Sequence, residues 1–146
     1  MKKALIGHIH DDADGTRAFA WTTFTPTWTQ GATVTHTVKY ARYCLVGKVA
    51  FVRLHLVATG AGTASNAMVI GGIPAVAAIK DTAVTVPTVG SFSYLDSGTA
   101  YYVGSAVAAS ASGVNIYRDG GGAAFGTAIT AASTDEVSLD LMYEIA

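Results

Sequence analysis

Two histidines, His8 and His10, flank a single isoleucine near the start of the chain, and they are the sharpest candidates for metal chemistry. In an extended segment residues i and i+2 point the same way, so one chain offers two imidazoles to one point. Two ligands are too few for a tight site. Three chains around a threefold axis would supply six neutral imidazoles, enough to surround a first-row transition metal octahedrally. The competing reading is a solvated arm whose histidines bind nothing. Just downstream, Asp11-Asp12-Ala13-Asp14-Gly15 superficially resembles a calcium loop. It lacks the ligand, glycine and glutamate spacing of an EF-hand and reads as an acidic turn.

Aromatic residues form the second group of candidates. Tyr94, Tyr101 and Tyr117 lie near the expected loops at Ser97-Gly98 and Gly120, where binding function collects, and are the expected contacts for a receptor or glycan. Trp21, Phe24 and Trp28 could stack on sugar rings, but the Thr25-Pro26 between them reads as a rigid extended segment, and packing is the preferred role. Catalysis finds no footing. There is no Gly-x-Ser-x-Gly elbow, no His-Glu-x-x-His helix and no acid pair spaced for general acid–base work. No basic cluster adjoins Cys44 to lower its pKa, so it is expected to be a small apolar core residue. The expectation is a protein that is not an enzyme.

The elements that must position these residues are strands. From Trp21 onward, Gly and Thr punctuate short segments rich in Val, Ile, Tyr and Phe. Val137, Leu139, Leu141, Tyr143 and Ile145 alternate with Ser138, Asp140, Met142 and Glu144, which sends one face into a core. Over Lys48 to Thr59, Val52, Leu54 and Leu56 share one face while Phe51, Arg53, His55 and Val57 share the other. That mixed face suits a subunit interface, with Phe51, Arg53 and His55 as its contacts. Thr33 to Val46 reads as one long strand or a bent pair. Further strands are expected at Ala67–Ile70, Ala75–Ile79, Ser91–Leu95, Tyr101–Ala106 and Val114–Tyr117. About eight strands give an all-β fold, a single jelly-roll-like antiparallel β-sandwich over 21–146, preceded by an N-terminal arm over 1–20.

The chain of 146 residues suits one domain, and charged residues make up 13% of it, about half the usual share. So little charge favours burial of surface in an oligomer or a larger assembly. A net charge of −1 advertises neither nucleic acid nor an anionic membrane as partner. The Met-Lys-Lys-Ala-Leu-Ile start is too short an apolar stretch for a signal peptide, and no run reaches membrane-span length.

Trp21-Thr22-Thr23-Phe24-Thr25-Pro26-Thr27-Trp28, followed by Tyr43-Cys44-Leu45-Val46-Gly47-Lys48-Val49, resembles the opening of a β-sandwich domain of bacteriophage minor tail and tail-fibre proteins. The resemblance spans roughly Trp21 to Pro74. It implies a structural virion protein, a homotrimer that contacts other virion proteins and a host cell-surface glycan. It also implies that Trp21, Phe24 and Trp28 plug one end of a sandwich, and it strengthens the case for a transition metal held by His8 and His10 at a trimer axis. Family members are usually the C-terminal part of longer tail proteins, whereas here only residues 1–20 precede the domain. A trimeric capsid decoration protein docking through that arm is therefore the alternative. If the metal reading holds, elemental analysis of intact particles gives a stoichiometric metal, and His8→Ala with His10→Ala lowers trimer stability; particles without metal end it.

Overall fold

A computed structural model describes residues 20–80, 82, 87–119 and 124–146. The pair His8 and His10, most of the expected arm and the glycine run after Asp119 lie outside these residues. The chain forms β1 (Thr22–Thr23), β2 (Thr27–Gln30), β3 (Ala32–Thr33), β4 (His36–Val46), β5 (Val49–Ala58), β6 (Val69–Gly71), β7 (Thr88–Asp96), β8 (Ala100–Ser110), β9 (Gly113–Arg118) and β10 (Glu136–Glu144). All ten join one antiparallel sheet in the order β1-β4-β5-β10-β7-β8-β9-β6-β2-β3. The all-β expectation is met. Ala75–Ile79 corrects one assignment: Ala75–Ala77 is a short 3-10 turn, and of that segment Ile79 alone joins the sheet, through a bridge to Ile145. Pro74 removes a donor at the start of this turn and holds an extended φ of −63°.

The longest strands follow directly from their patterns. In β5, Val52, Leu54 and Leu56 are buried while Arg53 is exposed and Phe51, His55 and Val57 are partly covered. In β10, Val137, Leu139, Leu141 and Tyr143 are buried and Asp140, Met142 and Glu144 face outward. The β4–β5 hairpin closes through Gly47-Lys48, with Val46 paired to Val49. Gly47 takes φ +59°, the positive φ that two-residue hairpin turns of the primed types require at their first position.

The sheet curls, so strands distant in its order face one another. Trp28 of β2 is fully buried and meets Tyr94 of β7 edge-on, with ring centroids 6.2 Å apart, and His36 of β4 at 6.3 Å. Phe125 packs against Phe92, Tyr94 and Tyr102 at 5.3, 4.9 and 5.3 Å. These rings fill the space between the facing parts of the curled sheet.

Among the described residues two polar side chains are buried within this apolar interior, Gln30 and Asp135. Gln30 Nε2 donates to the carbonyls of Gly126 at 2.8 Å, Ile129 at 2.7 Å and Asn66 at 3.2 Å. Its Oε1 accepts from the Ala131 N–H at 2.9 Å. A Cβ on Gly62 would collide with this amide, so the 60–66 loop can close over Gln30 only with glycine there. Replacing Gln30 with Leu strands one buried N–H and several carbonyls. We expect it to lower unfolding stability by about 2–4 kcal/mol, read as a fall in urea midpoint at unchanged slope. A loss below about 1 kcal/mol would mean that the loops hold themselves.

Candidate functional site

The outer face of the sheet carries the residues with chemical potential. Strand pairing aligns them in rows, because residues opposite one another on neighbouring strands share a face. One row crosses seven strands: Thr23, Arg42, Arg53, Asp140, Ser91, Ser105 and Tyr117 are successive cross-strand partners. The row to one side of it runs Cys44, Phe51 and Met142. On the other side run Tyr40, His55, Ser138, Ser93 and Val103.

Arg42 and Arg53 stand directly opposite each other, an arrangement that repulsion disfavours. Each is stabilised from its other side. The Arg42 guanidinium lies over the Trp21 ring at 4.9 Å and near the Tyr40 ring at 5.6 Å, two cation–π contacts. Its Nε is buried without a hydrogen-bond partner among the described residues, so the rings carry the contact. Arg53 Nε donates to Asp140 Oδ1, and that hydrogen bond and charge hold the guanidinium more firmly protonated than usual. Next along, His55 Nε2 lies 2.7 Å from Glu136 Oε2, and the Tyr40 ring stands edge-on to His55 at 5.9 Å.

Two adjoining depressions mark this face. The larger, about 560 Å³, is lined by Trp21, Phe51, Arg53, Ser91, Asp140 and Met142. The second, about 370 Å³, is lined by Ser91, Ser93, Val103, Asp119, Ser138 and Asp140. Ser91 and Asp140 belong to both, so the two form one trough across β5, β10, β7 and β8. Its origin is side-chain size: at Ser91, Ser93 and Ser138 the outward positions hold only a hydroxymethyl group, which leaves the floor low.

The structure redistributes the residues expected from sequence. Phe51 and Arg53 share the trough, and His55 lies on the next row, tied to Glu136. Tyr101 is exposed on the outer face, opposite Leu95, and Tyr117 is half-buried at the end of the Arg53 row. Tyr94 is a correction. It points inward, is fully buried, and its hydroxyl donates to Asp135 Oδ2 at 2.7 Å, so it cannot touch a receptor. The alternation of Phe92 and Tyr94 with Ser91 and Ser93 is the sequence signal of that inward face. Trp21 is a second correction, being 43% exposed beside Arg42, whereas Trp28 is the buried plug and Phe24 packs partly against Tyr43. Cys44 is a third. It stands opposite Phe51, outside the main apolar cluster.

Asp135 anchors the loop end of this face from beneath. Besides Tyr94 it accepts the Ala132 N–H at 2.8 Å and the Ser97 N–H at 2.9 Å. Thr134 beside it sits at φ 78°, an uncommon conformation for a β-branched residue, fixed by its N–H donating to the Ala58 carbonyl at 2.9 Å. Among the described residues no cluster of three or more His, Cys, Asp or Glu side chains could hold a metal ion. Comparison with protein-family models, with curated proteins and with solved structures finds no match.

Burial, followed by the hydrogen bond to Asp135, pushes the Tyr94 hydroxyl well above the ordinary tyrosine value of 10.0, and burial does the same to Tyr143. Both groups hold their protons more tightly folded than unfolded. Their stabilising contribution is therefore full below pH 10.0 and is lost as pH rises through that value toward the raised ones. Tyr94→Phe is expected to cost about 1–2 kcal/mol at neutral pH and to flatten the alkaline fall in stability. A fall as steep as that of the parent protein in a pH series of urea unfolding would refute this assignment.

Proposed function

We propose that the chain is a structural protein of a tailed bacteriophage particle, a homotrimeric tail-associated or fibre-tip module that contacts other virion proteins and the host surface. The observation that carries this reading is the outer sheet face. Trp21, Tyr101, Val103 and Met142 are between 43% and 65% exposed there, in a chain with only 13% charged residues. Large apolar side chains gathered on one face of a sparsely charged protein are what an assembly or attachment surface needs. The resemblance of the Trp21–Trp28 and Tyr43–Val49 segments to tail-protein domains supplies the setting.

In this reading the curled sheet functions as a jelly-roll-like sandwich, with β4, β5, β10 and β7 facing β8, β9, β6 and β2. The contact of Trp28 with Tyr94 supports that pairing of layers. We place the subunit contact at His55 together with the exposed Tyr40 of β4, its cross-strand partner, and we assign Phe51 and Arg53 to the trough instead. His8 and His10 would sit near the trimer axis.

Copy number per particle tests the location. Three to a few dozen copies per virion, by quantitative densitometry, supports the tail reading. Several hundred copies would overturn it in favour of a capsid decoration protein. Light scattering of the purified chain tests the assembly: three times the 15.0 kDa chain mass is expected. A mass near 15.0 kDa, with no cross-links between copies in particles, ends the trimer.

A further inference from the structure

We infer that the trough across β5, β10, β7 and β8 is a binding site for an uncharged oligosaccharide. The inference deepens the host-contact reading, on which it rests for its setting, by naming the site and the ligand class. The trough joins two different chemistries. At one end stand Trp21, Phe51 and Met142; at the other Ser91, Ser93 and Ser138 share the lining with Asp140 and Asp119. A sugar ring offers the matching pair, an apolar C–H face for an aromatic ring and a rim of hydroxyls that both donate and accept. Serine hydroxyls do both, and carboxylates accept. Arg42 lies over the Trp21 ring but does not line the trough, so Trp21 presents separate surface to a ligand.

Length and rigidity fit as well. From Phe51 on β5 to Val103 on β8 the trough spans three inter-strand spacings, roughly 14 Å, long enough for a di- or trisaccharide. Its hydroxyls stand on strands paired along both sides, so little side-chain or backbone freedom is lost on binding.

Other ligand classes fit less well. Among the described lining residues Arg53 is the sole cation, and Asp140 already neutralises it, leaving Asp119 to repel an anionic sugar or a nucleic acid. A peptide added as a strand needs an open sheet edge, and β10, β7 and β8 have none here.

The test uses the purified full chain and ligand-observed saturation-transfer NMR. The probes are neutral di- and trisaccharides of glucose, galactose, mannose and N-acetylglucosamine, with a sialylated trisaccharide for comparison. Transfer to at least one neutral probe is expected, weaker transfer to the acidic one, and a loss of roughly tenfold in affinity on Trp21→Ala and on Ser93→Val at unchanged urea midpoint. If either variant shifts that midpoint, Trp21→Phe and Ser93→Thr, which keep a ring and a hydroxyl, must retain binding. No transfer from any neutral probe, equal or stronger transfer from the sialylated one, or unchanged affinity in both variants overturns the site. So does a Trp21→Ala chain that dissociates from trimer to monomer, which would make a second copy the occupant. Failure here with a tail copy number leaves the virion reading standing; saccharide binding by a protein found in hundreds of copies per capsid does the reverse.

Discussion

The fold depends on one buried amide. Gln30 lies at the end of β2, next to the last strand in the sheet's order, and its four hydrogen bonds reach loop segments 36 to 101 residues away. A polar group this deep would oppose folding if any of its partners were missing. With all of them present it fixes which loops lie over that end of the curl. Asp135 does the same for the turn between β7 and β8, for the approach to β10 and for Tyr94. Apolar contact alone tolerates sliding; these two side chains specify a single arrangement.

The pleat turns that arrangement into a surface. Each inward Val, Leu or Tyr of β10 and β7 requires an outward neighbour, and the sequence places small hydroxyl residues at Ser91, Ser93 and Ser138. Larger outward residues to either side then become walls. The same rows bring Arg42 and Arg53 together, and the surrounding Trp21, Tyr40 and Asp140 compensate for their repulsion. Shape and charge on this face therefore follow from one set of strand registers.

The long strands were legible because burial writes a period of two into them. The expected segments Lys48–Thr59 and Val137–Ile145 coincide within a residue or two with Val49–Ala58 and Glu136–Glu144, and the alternating apolar positions are the buried ones. β1, β2 and β3 hold two to four residues each, too few to show any period. Ala75–Ile79 has strand-like composition, but Pro74 and the shortness of the run gave a turn. Gln30 and Asp135 do not stand out, since a polar residue near a turn looks solvated until its distant partners are known, up to 101 residues away for Gln30 and 41 for Asp135. The trough is illegible for a related reason: serines attract no notice in a sequence, and its members come from six separate stretches of chain.

The position of β10 has a consequence for how the protein is made. It is the last of the ten strands to be synthesised, yet it lies between β5 and β7 near the middle of the sheet. While the ribosome is still translating the 97–135 stretch, β5 and β7 both have an unfilled edge with full hydrogen-bonding capacity. The nascent chain therefore cannot complete its sheet strand by strand as it emerges. Closure must wait for β10 to be released and inserted, and until then neighbouring nascent chains on the same message can pair with those edges in its place.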